Sequence, residues 1–277
     1  MLVVRTRADL RAVLAGAPRP VGLVPTMGWL HAGHVSLVER ARAESATVVM
    51  SIFVNPRQFG EARDFEQYPR NEARDLAMAE AAGVDVVFAP GVDEVYLPGF
   101  DTVVSVGAIA RPLEGAARPG HFDGVATVVA ILFALVGAER AYFGVKDYQQ
   151  VAVIRRMALD LALPTQVVPC PTVREPDGLA LSSRNARLSA EGRRRAAVLH
   201  RALAAGGACI RAGERSADAV REAVRVVLAE EPSASVDYVS AADPDTLAEL
   251  MEIDGRALLS LAVRVEGVRL IDNELVG

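Results

Sequence analysis

The chain has 277 residues, of which 51% are hydrophobic, enough to bury the core of one large domain or two modest ones. Its formal net charge of −5 argues against a nucleic-acid surface, which usually needs a clustered basic face. The apolar runs are shorter than the ~20 residues that a membrane span requires, and arginines interrupt the N-terminal stretch, so we expect no membrane partner and a cytoplasmic protein.

Short apolar runs alternate with helical patterns over the first two thirds of the chain. Runs rich in β-branched and aromatic residues predict buried parallel strands at 21–26, 47–55, 84–90, 141–144 and 165–173. Segments with a 3.6-residue period predict helices at 34–45, 71–83, 124–138 and 146–163. This alternation predicts an α/β domain over 1–175, with a doubly wound parallel sheet and ligands at the carboxyl ends of its strands.

The pattern changes after the segment REPDGLALSSRN. Helices are predicted at 189–213 and 216–231, each opened by a serine suited to capping the helix N-terminus. Three later segments with partial alternation predict strands of an antiparallel sheet, at 235–243, 257–265 and 268–276. The sequence therefore predicts a second, smaller α+β domain over 176–277.

Two of the four histidines and the single tryptophan lie within six positions, in VPTMGWLHAGHVSL. A strand should end there and a helix begin, with Gly28 permitting the turn and Gly33 a close backbone approach. His31 and His34 would flank unpaired helix N–H groups and donate hydrogen bonds to phosphate oxygens. A zinc site is a weaker interpretation, because helical metal-binding histidines usually lie four apart beside an acidic ligand. Purely structural histidines are the remaining alternative.

Lysine is nearly absent from the chain. Of the 30 basic residues only Lys146 is a lysine, and it lies in the polar segment FGVKDYQQ after a predicted strand. An ammonium is a compact charge on a flexible stem and suits a phosphate oxygen where a planar guanidinium would not fit. Lys146 is therefore a candidate phosphate ligand, with a residual surface lysine as the alternative.

Two further polar segments follow predicted strands. Asn55 and Gln58 should emerge over the cleft, where neutral amides can orient a substrate rich in hydroxyl groups. The segment LSSR, residues 181–184, offers hydroxyls and a guanidinium for a polyphosphate, although an ordinary polar linker is the alternative. Because it lies at the domain junction, it could act as a lid over the site.

The stretch TMGWLHAGH resembles the H-x-G-H signature of the nucleotidylyltransferase superfamily and, within it, of the pantothenate synthetase family. SIFVNPRQFG, DFEQYPR, RPGHFDGVATVV, FGVKDYQQ and REPDGLALSSRN occur in that family's order, so the resemblance is dense over about residues 20–190. It implies a Rossmann-like domain with a smaller C-terminal lid domain, in a homodimer. It also implies ATP-dependent condensation of pantoate with β-alanine through a pantoyl adenylate, releasing pyrophosphate and then AMP.

The resemblance implies roles for particular residues. His31, His34, Lys146 and Arg184 would stabilise the charge that develops during catalysis, with His34 the candidate for proton transfer. The implied ATP site is lined by Met27, Gly28, His31, Gly33, His34, Gly144, Lys146, Asp147, Val173, Leu181, Ser182, Ser183 and Arg184. Gln58 and Gln150 would hold pantoate from opposite sides, together with Asn55.

The chain departs from the family pattern at three places. Val145 and Ala32 each stand where a glutamate is common, and Arg74 precedes Asp75 where the family often has adjacent acidic residues near the metal-bound phosphates. We therefore expect Mg²⁺ to be held mainly by ATP and water, with Asp75 in its outer shell at most.

Two other functions are open on sequence alone. The first is a superfamily enzyme that transfers a nucleotidyl group to a phosphorylated acceptor, although Gln58 and Gln150 disfavour it because such an acceptor would favour basic side chains. The second is a nonenzymatic nucleotide sensor, which would have no need to keep an acyl-acceptor site.

Overall fold

Six parallel strands build the sheet of the N-terminal part. The structure is a computed structural model that describes residues 1–60 and 62–277, without the side chains of residues 62 and 63. The strands are β1 (Leu2–Val4), β2 (Val21–Thr26), β3 (Thr47–Ile52), β4 (Val86–Phe88), β5 (Arg140–Gly144) and β6 (Gln166–Cys170). They lie in the order β1-β4-β3-β2-β5-β6, and every neighbouring pair is parallel.

Helices cover both faces of this sheet. They are α1 (Arg7–Leu14), α2 (Ala32–Glu44), α3 (Ala62–Glu66), α4 (Glu72–Ala81), α5 (Val92–Val95), α6 (Glu114–Ala117), α7 (His121–Val136) and α8 (Tyr148–Asp160). Helices α1, α7 and α8 share one core with Leu23, while α2 and α4 share another with the next residue, Val24. Successive side chains of a strand point to opposite faces, so the strands are buried on both sides, as their continuous apolar runs predict.

The strand order reverses between β2 and β5. From β2 the chain moves outward through β3 and β4, whereas β5 and β6 lie on the other side of β2. In an open α/β sheet, a crevice forms at such a point beyond the carboxyl ends of the strands, and ligands bind there. The segments that follow β2 and β5 contain the histidine pair and Lys146.

The C-terminal part forms a separate core around a second sheet. Helices α9 (Ala190–Ala196), α10 (Val198–Arg211) and α11 (Ala217–Leu228) precede strands β7 (Ala234–Ala242), β8 (Ala257–Val265) and β9 (Val268–Val276). The strands are antiparallel in the order β7-β8-β9, and α10 and α11 share their core. The predicted fold class is confirmed. The hydrophobic cores around the first sheet extend along the chain to Cys170, and the core around the second sheet begins at Leu179. We propose that the domain boundary lies between these residues, near residue 175.

The predicted elements differ from the structure in a few places. The segment 189–213 was expected to be one helix, but the helix is interrupted for one residue at Ala197, between α9 and α10. Alanine and arginine give no local stop signal, and Ala196 and Leu199 on either side of the break are both buried in the second core, so tertiary packing sets the break. The sequence also predicted neither β1 nor α1. Ser189 and Ser216 do cap α9 and α11.

The described part of the chain contains no helix that is both long and apolar enough to cross a bilayer. Both cysteines are free thiols, Cys170 buried and Cys209 half-buried.

Candidate active site

The turn after β2 is held by a buried carboxylate. Asp75, at the start of α4 and 1% exposed, accepts hydrogen bonds from the backbone N–H of Trp29 (2.7 Å) and of Leu30 (2.8 Å). Gly28 has φ +80°, and a Cβ there would lie 2.9 Å from Asp75 Oδ2. Glycine is thus required both by the backbone conformation and by the carboxylate beside it.

Arg74 supports the same turn. Its guanidinium lies over the Trp29 ring at 5.1 Å and donates a hydrogen bond to the Leu30 carbonyl at 2.8 Å. The arginine that replaces a common acidic residue therefore has a structural function. Both oxygens of Asp75 accept backbone N–H groups, and the described residues contain no cluster of three His, Cys, Asp or Glu side chains able to bind a metal ion.

The two histidines cap helix α2. His31 Nδ1 accepts from the backbone N–H of Gly33 at 3.1 Å, and His34 Nδ1 accepts from the backbone N–H of His31 at 3.3 Å. The imidazole rings lie 4.0 Å apart between centroids. A Cβ on Gly33 would lie 2.9 Å from the His31 ring, so this glycine makes room for the cap. Since each Nδ1 is an acceptor, each neutral ring carries its proton on Nε2.

The surroundings keep both rings neutral. Burial lowers the pKa of His31 to about 4, assisted by the nearby charges of Lys146 and Arg74. Burial also lowers the pKa of His34 to about 3, with His31 and Lys146 adding to the effect. At neutral pH the pair therefore offers two uncharged N–H donors. A ring in this state is a poor proton acceptor but can still donate a hydrogen bond, and the proton-transfer role of His34 stays a prediction.

Lys146 lies in a short 3₁₀ turn, Val145–Asp147, between β5 and α8. Only 17% of its side chain is exposed, and its ammonium lies 3.7 Å from the Asp147 carboxylate. It lines the same cavity as both histidines, and its charge helps to lower their pKa values. A Cβ on Gly144, before the turn, would point into open space, where a ligand has room to approach.

Gln58 is fixed by a network that includes Asn55. The Asn55 amide donates to Gln58 Oε1 (3.0 Å) and to the Gly124 carbonyl (3.1 Å), and its oxygen accepts from the Tyr96 hydroxyl (2.7 Å). Asn55 is 1% exposed and Gln58 is 9% exposed. A Cβ on Gly124 would lie 2.2 Å from the Arg57 carbonyl oxygen, so glycine lets α7 approach this segment.

Two residues of RPGHFDG were not assigned a role from the sequence. His121 Nδ1 donates to the Gln58 carbonyl at 2.7 Å, and Arg118 donates to the same oxygen at 3.0 Å. Burial lowers the pKa of His121 to about 4, and the positive charge of Arg118 lowers it further. These contacts span 63 and 60 residues of chain, and the only available signal was the rarity of histidine.

The two neighbouring glutamines of KDYQQ have different surroundings. Gln149 is buried and clamps an adjacent loop, accepting from the Glu114 N–H and donating to the carbonyls of Ile109 and Pro112. Gln150 is half-buried and lines the same cavity as Gln58. Gln150 is thus the member of the pair that lines this cavity, whereas Gln149 lines only the neighbouring one.

The segment LSSR forms a second wall of the cavity and adjoins the turn after β2. Ser182 caps a 3₁₀ turn, Ser183–Arg187, by accepting the Arg184 N–H at 3.3 Å, and Ser183 donates to the Trp29 carbonyl at 3.2 Å. Arg184 pairs with Asp64 of α3 at 3.2 Å, and Arg187 pairs with the other oxygen of that carboxylate at 2.9 Å. The guanidinium of Arg184, which was predicted to bind phosphate, is thus paired with the carboxylate of Asp64.

These walls enclose a cavity of about 230 Å³. Of the predicted site residues, it is lined by Met27, His31, Gly33, His34, Asn55, Gln58, Gly144, Lys146, Asp147, Gln150, Val173, Leu181, Ser182, Ser183 and Arg184. Gly28 and Asp75 lie behind this lining and shape the turn. A neighbouring cavity of about 610 Å³ lies between the two parts of the chain and shares Lys146, Gln150 and Arg184 with the first.

Comparison with known proteins assigns the chain to a family. A family model described as pantoate-beta-alanine ligase matches residues 2–275. The pantothenate synthetase of Roseiflexus sp. is 60% identical over 99% of this chain and 98% of its own.

Solved structures agree with this assignment. The crystal structure of pantothenate synthetase from Thermus thermophilus superposes with a TM-score of 0.94 at 51% identity, covering 99% of both chains. The pantoate-beta-alanine ligase from Francisella tularensis, complexed with beta-gamma ATP and beta-alanine, has a TM-score of 0.82 at 31% identity, covering 99% of this chain and 97% of that one. The resemblance noted in the sequence is confirmed: the chain belongs to the pantoate-β-alanine ligase family, the pantothenate synthetases.

Proposed function

We propose that the chain condenses pantoate with β-alanine in two steps inside the cavity described above. The pantoate carboxylate first attacks the α-phosphorus of ATP, forming a pantoyl adenylate and releasing pyrophosphate. The amine of β-alanine then attacks the acyl carbon and AMP leaves. The observation that carries this proposal is the convergence of Lys146, the imidazole pair and two glutamines on one crevice.

On the phosphate side, neutral and charged donors have separate tasks. The Nε2–H groups of His31 and His34 are fixed by backbone capping, so they can meet the α-phosphate without reorganising as charge builds up on it. Lys146 adds a mobile positive charge for the same oxygens. Arg184 contacts Asp64 through Nη2, and exchange of that carboxylate for phosphate would couple ATP entry to a movement of LSSR.

In the part of the cavity proposed for pantoate, Gln58 and Gln150 present amides to a substrate that carries one carboxylate and two hydroxyls. Asn55 has donors and acceptors already matched by protein groups, which supports a role in orienting Gln58 rather than in direct contact. Apolar side chains of α7, including Val125, Val129 and Leu132, line the same cavity and suit the two methyl groups of pantoate.

Magnesium enters this scheme with ATP. The described residues supply no protein cage for it, so the ion would be held by phosphate oxygens and water, as is usual for Mg²⁺ on nucleotides. Arg118 lines both cavities and would supply a cation for the carboxylate of β-alanine as its amine approaches the acyl carbon.

The test is product analysis with pantoate, β-alanine and MgATP. We expect AMP, pyrophosphate and the amide in equal amounts, with pyrophosphate release dependent on pantoate. A nucleotide adduct without AMP would instead indicate nucleotidyl transfer, and ATP binding without turnover would indicate a sensor. A cytoplasmic location, where ATP is available, and a homodimer stay predictions that localisation and sedimentation experiments would test.

A further inference from the structure

The last strand of the chain lies across the crevice. On β9, Arg269, Ile271 and Asn273 are spaced by two residues, so they share one face of the strand, and all three line the larger cavity. At one end of this face Arg269 pairs with the buried carboxylate of Glu114 in α6. At the other end lies the turn that carries Lys146.

Asn273 binds the backbone of that turn. Its Nδ2 donates to the Val145 carbonyl at 3.0 Å and to the Lys146 carbonyl at 2.8 Å, so both amide hydrogens are engaged. Within the described chain, neither the 3₁₀ turn Val145–Asp147 nor α8 after it has a side-chain cap of its own. The side-chain support for the Lys146 turn therefore comes from the second core of the protein.

Asn273 is itself held firmly. Its backbone N–H donates to Asp272 Oδ1 at 2.8 Å, and Asp272, which is 3% exposed, receives two hydrogen bonds from Arg174 at 2.6 and 2.9 Å. Bidentate arginine–carboxylate pairs are geometrically specific. Because Arg174 begins the segment that leads to Ser182–Arg184, the support of Lys146 is tied to the segment that forms the second wall of the cavity.

We propose that Asn273 is a positioning residue for Lys146, so that the C-terminal domain forms part of the machinery for adenylation. This rests on the proposed function, in which Lys146 meets the phosphates. A lysine side chain has four rotatable carbon–carbon bonds, so its ammonium is placed reproducibly only if its backbone is fixed. A displacement of about 1 Å at the reacting groups can reduce a rate by about a hundredfold.

The experiment measures pantoate-dependent exchange of pyrophosphate into ATP for Asn273→Leu and Asn273→Ala. Leucine keeps most of the volume but cannot donate a hydrogen bond, so both variants should lose about tenfold to a hundredfold in exchange rate. Val263→Ala, in the core of the same sheet, is the matched control. It should lower the unfolding temperature at least as much as the Asn273 variants do, while leaving the exchange rate near that of the unmodified protein.

A double-variant cycle separates positioning from general damage. In a Lys146→Gln background, Asn273→Leu should reduce exchange no further, because the group it positions is gone. Wild-type exchange in Asn273→Leu, or the same fractional loss with and without Lys146, would overturn the inference. Absence of pantoate-dependent exchange in the unmodified protein would instead contradict the proposed function itself.

Discussion

The two walls of the cleft are built on different principles. On one wall, α2 and its preceding turn hold His31 and His34 by backbone hydrogen bonds, and burial keeps both rings neutral. On the other wall, Arg184 is charged and paired with Asp64. The first wall is therefore ready for phosphate before ATP arrives, whereas on the second a carboxylate already occupies one nitrogen of the guanidinium. A single site can thus combine preorganised donors, which serve catalysis, with exchangeable charges, which serve entry and closure.

The largest expected effect is on catalysis, and it comes from substitution of Lys146, which lines the cavity together with both walls. Lys146→Ala should lower kcat/KM for ATP by roughly a hundredfold to a thousandfold, because a charge-stabilising donor in a partly dry site is lost. Lys146→Arg should not restore the rate, since the planar fork does not replace a compact ammonium. Steady-state kinetics measure both, with Arg155→Ala on the exposed side of α8 as the control. Full activity in Lys146→Arg would show that any cation suffices.

On the preorganised wall, His34→Ala should reduce kcat by roughly tenfold to a hundredfold while changing ATP affinity much less, because the donor serves the charged transition state. Calorimetric ATP titration and turnover measurements separate the two quantities. His200→Ala, on α10 and outside the residues lining either cavity, is the control. Equal losses in ATP affinity and turnover would place His34 in ground-state binding instead.

The neutral state of the two histidines on the same wall predicts that the folding stability depends on pH. His31 has a pKa of about 4 when folded and about 6.5 when unfolded, so the unfolded chain binds the extra proton in this interval. Folding stability should be fully present above pH 6.5 and fall as pH drops toward 4, by about 1.4 kcal/mol per pH unit for each such histidine.

Urea unfolding of His31→Gln measures this contribution. Its stability should fall less steeply between pH 6.5 and 4 than that of the unmodified protein. Parallel curves for the unmodified protein and His31→Gln would mean that the ring is not held neutral by the fold.

The smallest expected effect is on KM for ATP, and it comes from substitution of Asp64, the ion-pair partner of Arg184. Asp64→Asn removes the charge that competes with phosphate for Arg184, so KM for ATP should fall by about twofold to fivefold, which matches the free energy of a partly exposed ion pair. Lower kcat from slower lid opening can accompany it. A higher KM would show that Asp64 positions Arg184 for ATP instead of withholding it.

The sequence predicted those parts of the fold that are locally encoded. Strands such as β2 and β3 are continuous apolar runs, and Ser189 and Ser216 mark real helix starts. The break at Ala197 was missed because every residue near it favours a helix and only packing interrupts it.

In the candidate active site, too, the sequence predicted only what local features report. His31, His34 and Lys146 stand out by rarity and position, and they line one cavity. The support of Gln58 by His121 and the pairing of Arg184 with Asp64 join residues 63 and 120 positions apart, which no local pattern reports. The neutral state of the histidines could not be predicted either, because it depends on burial and on nearby cations.

The most direct measurement is a crystal structure of the protein soaked with MgATP and pantoate. We predict an adenylate whose acyl group lies between the amides of Gln58 and Gln150, with its phosphate within hydrogen-bond distance of His34 Nε2 and Lys146 Nζ. Nucleotide bound elsewhere, or phosphates turned away from His34 and Lys146, would contradict the account.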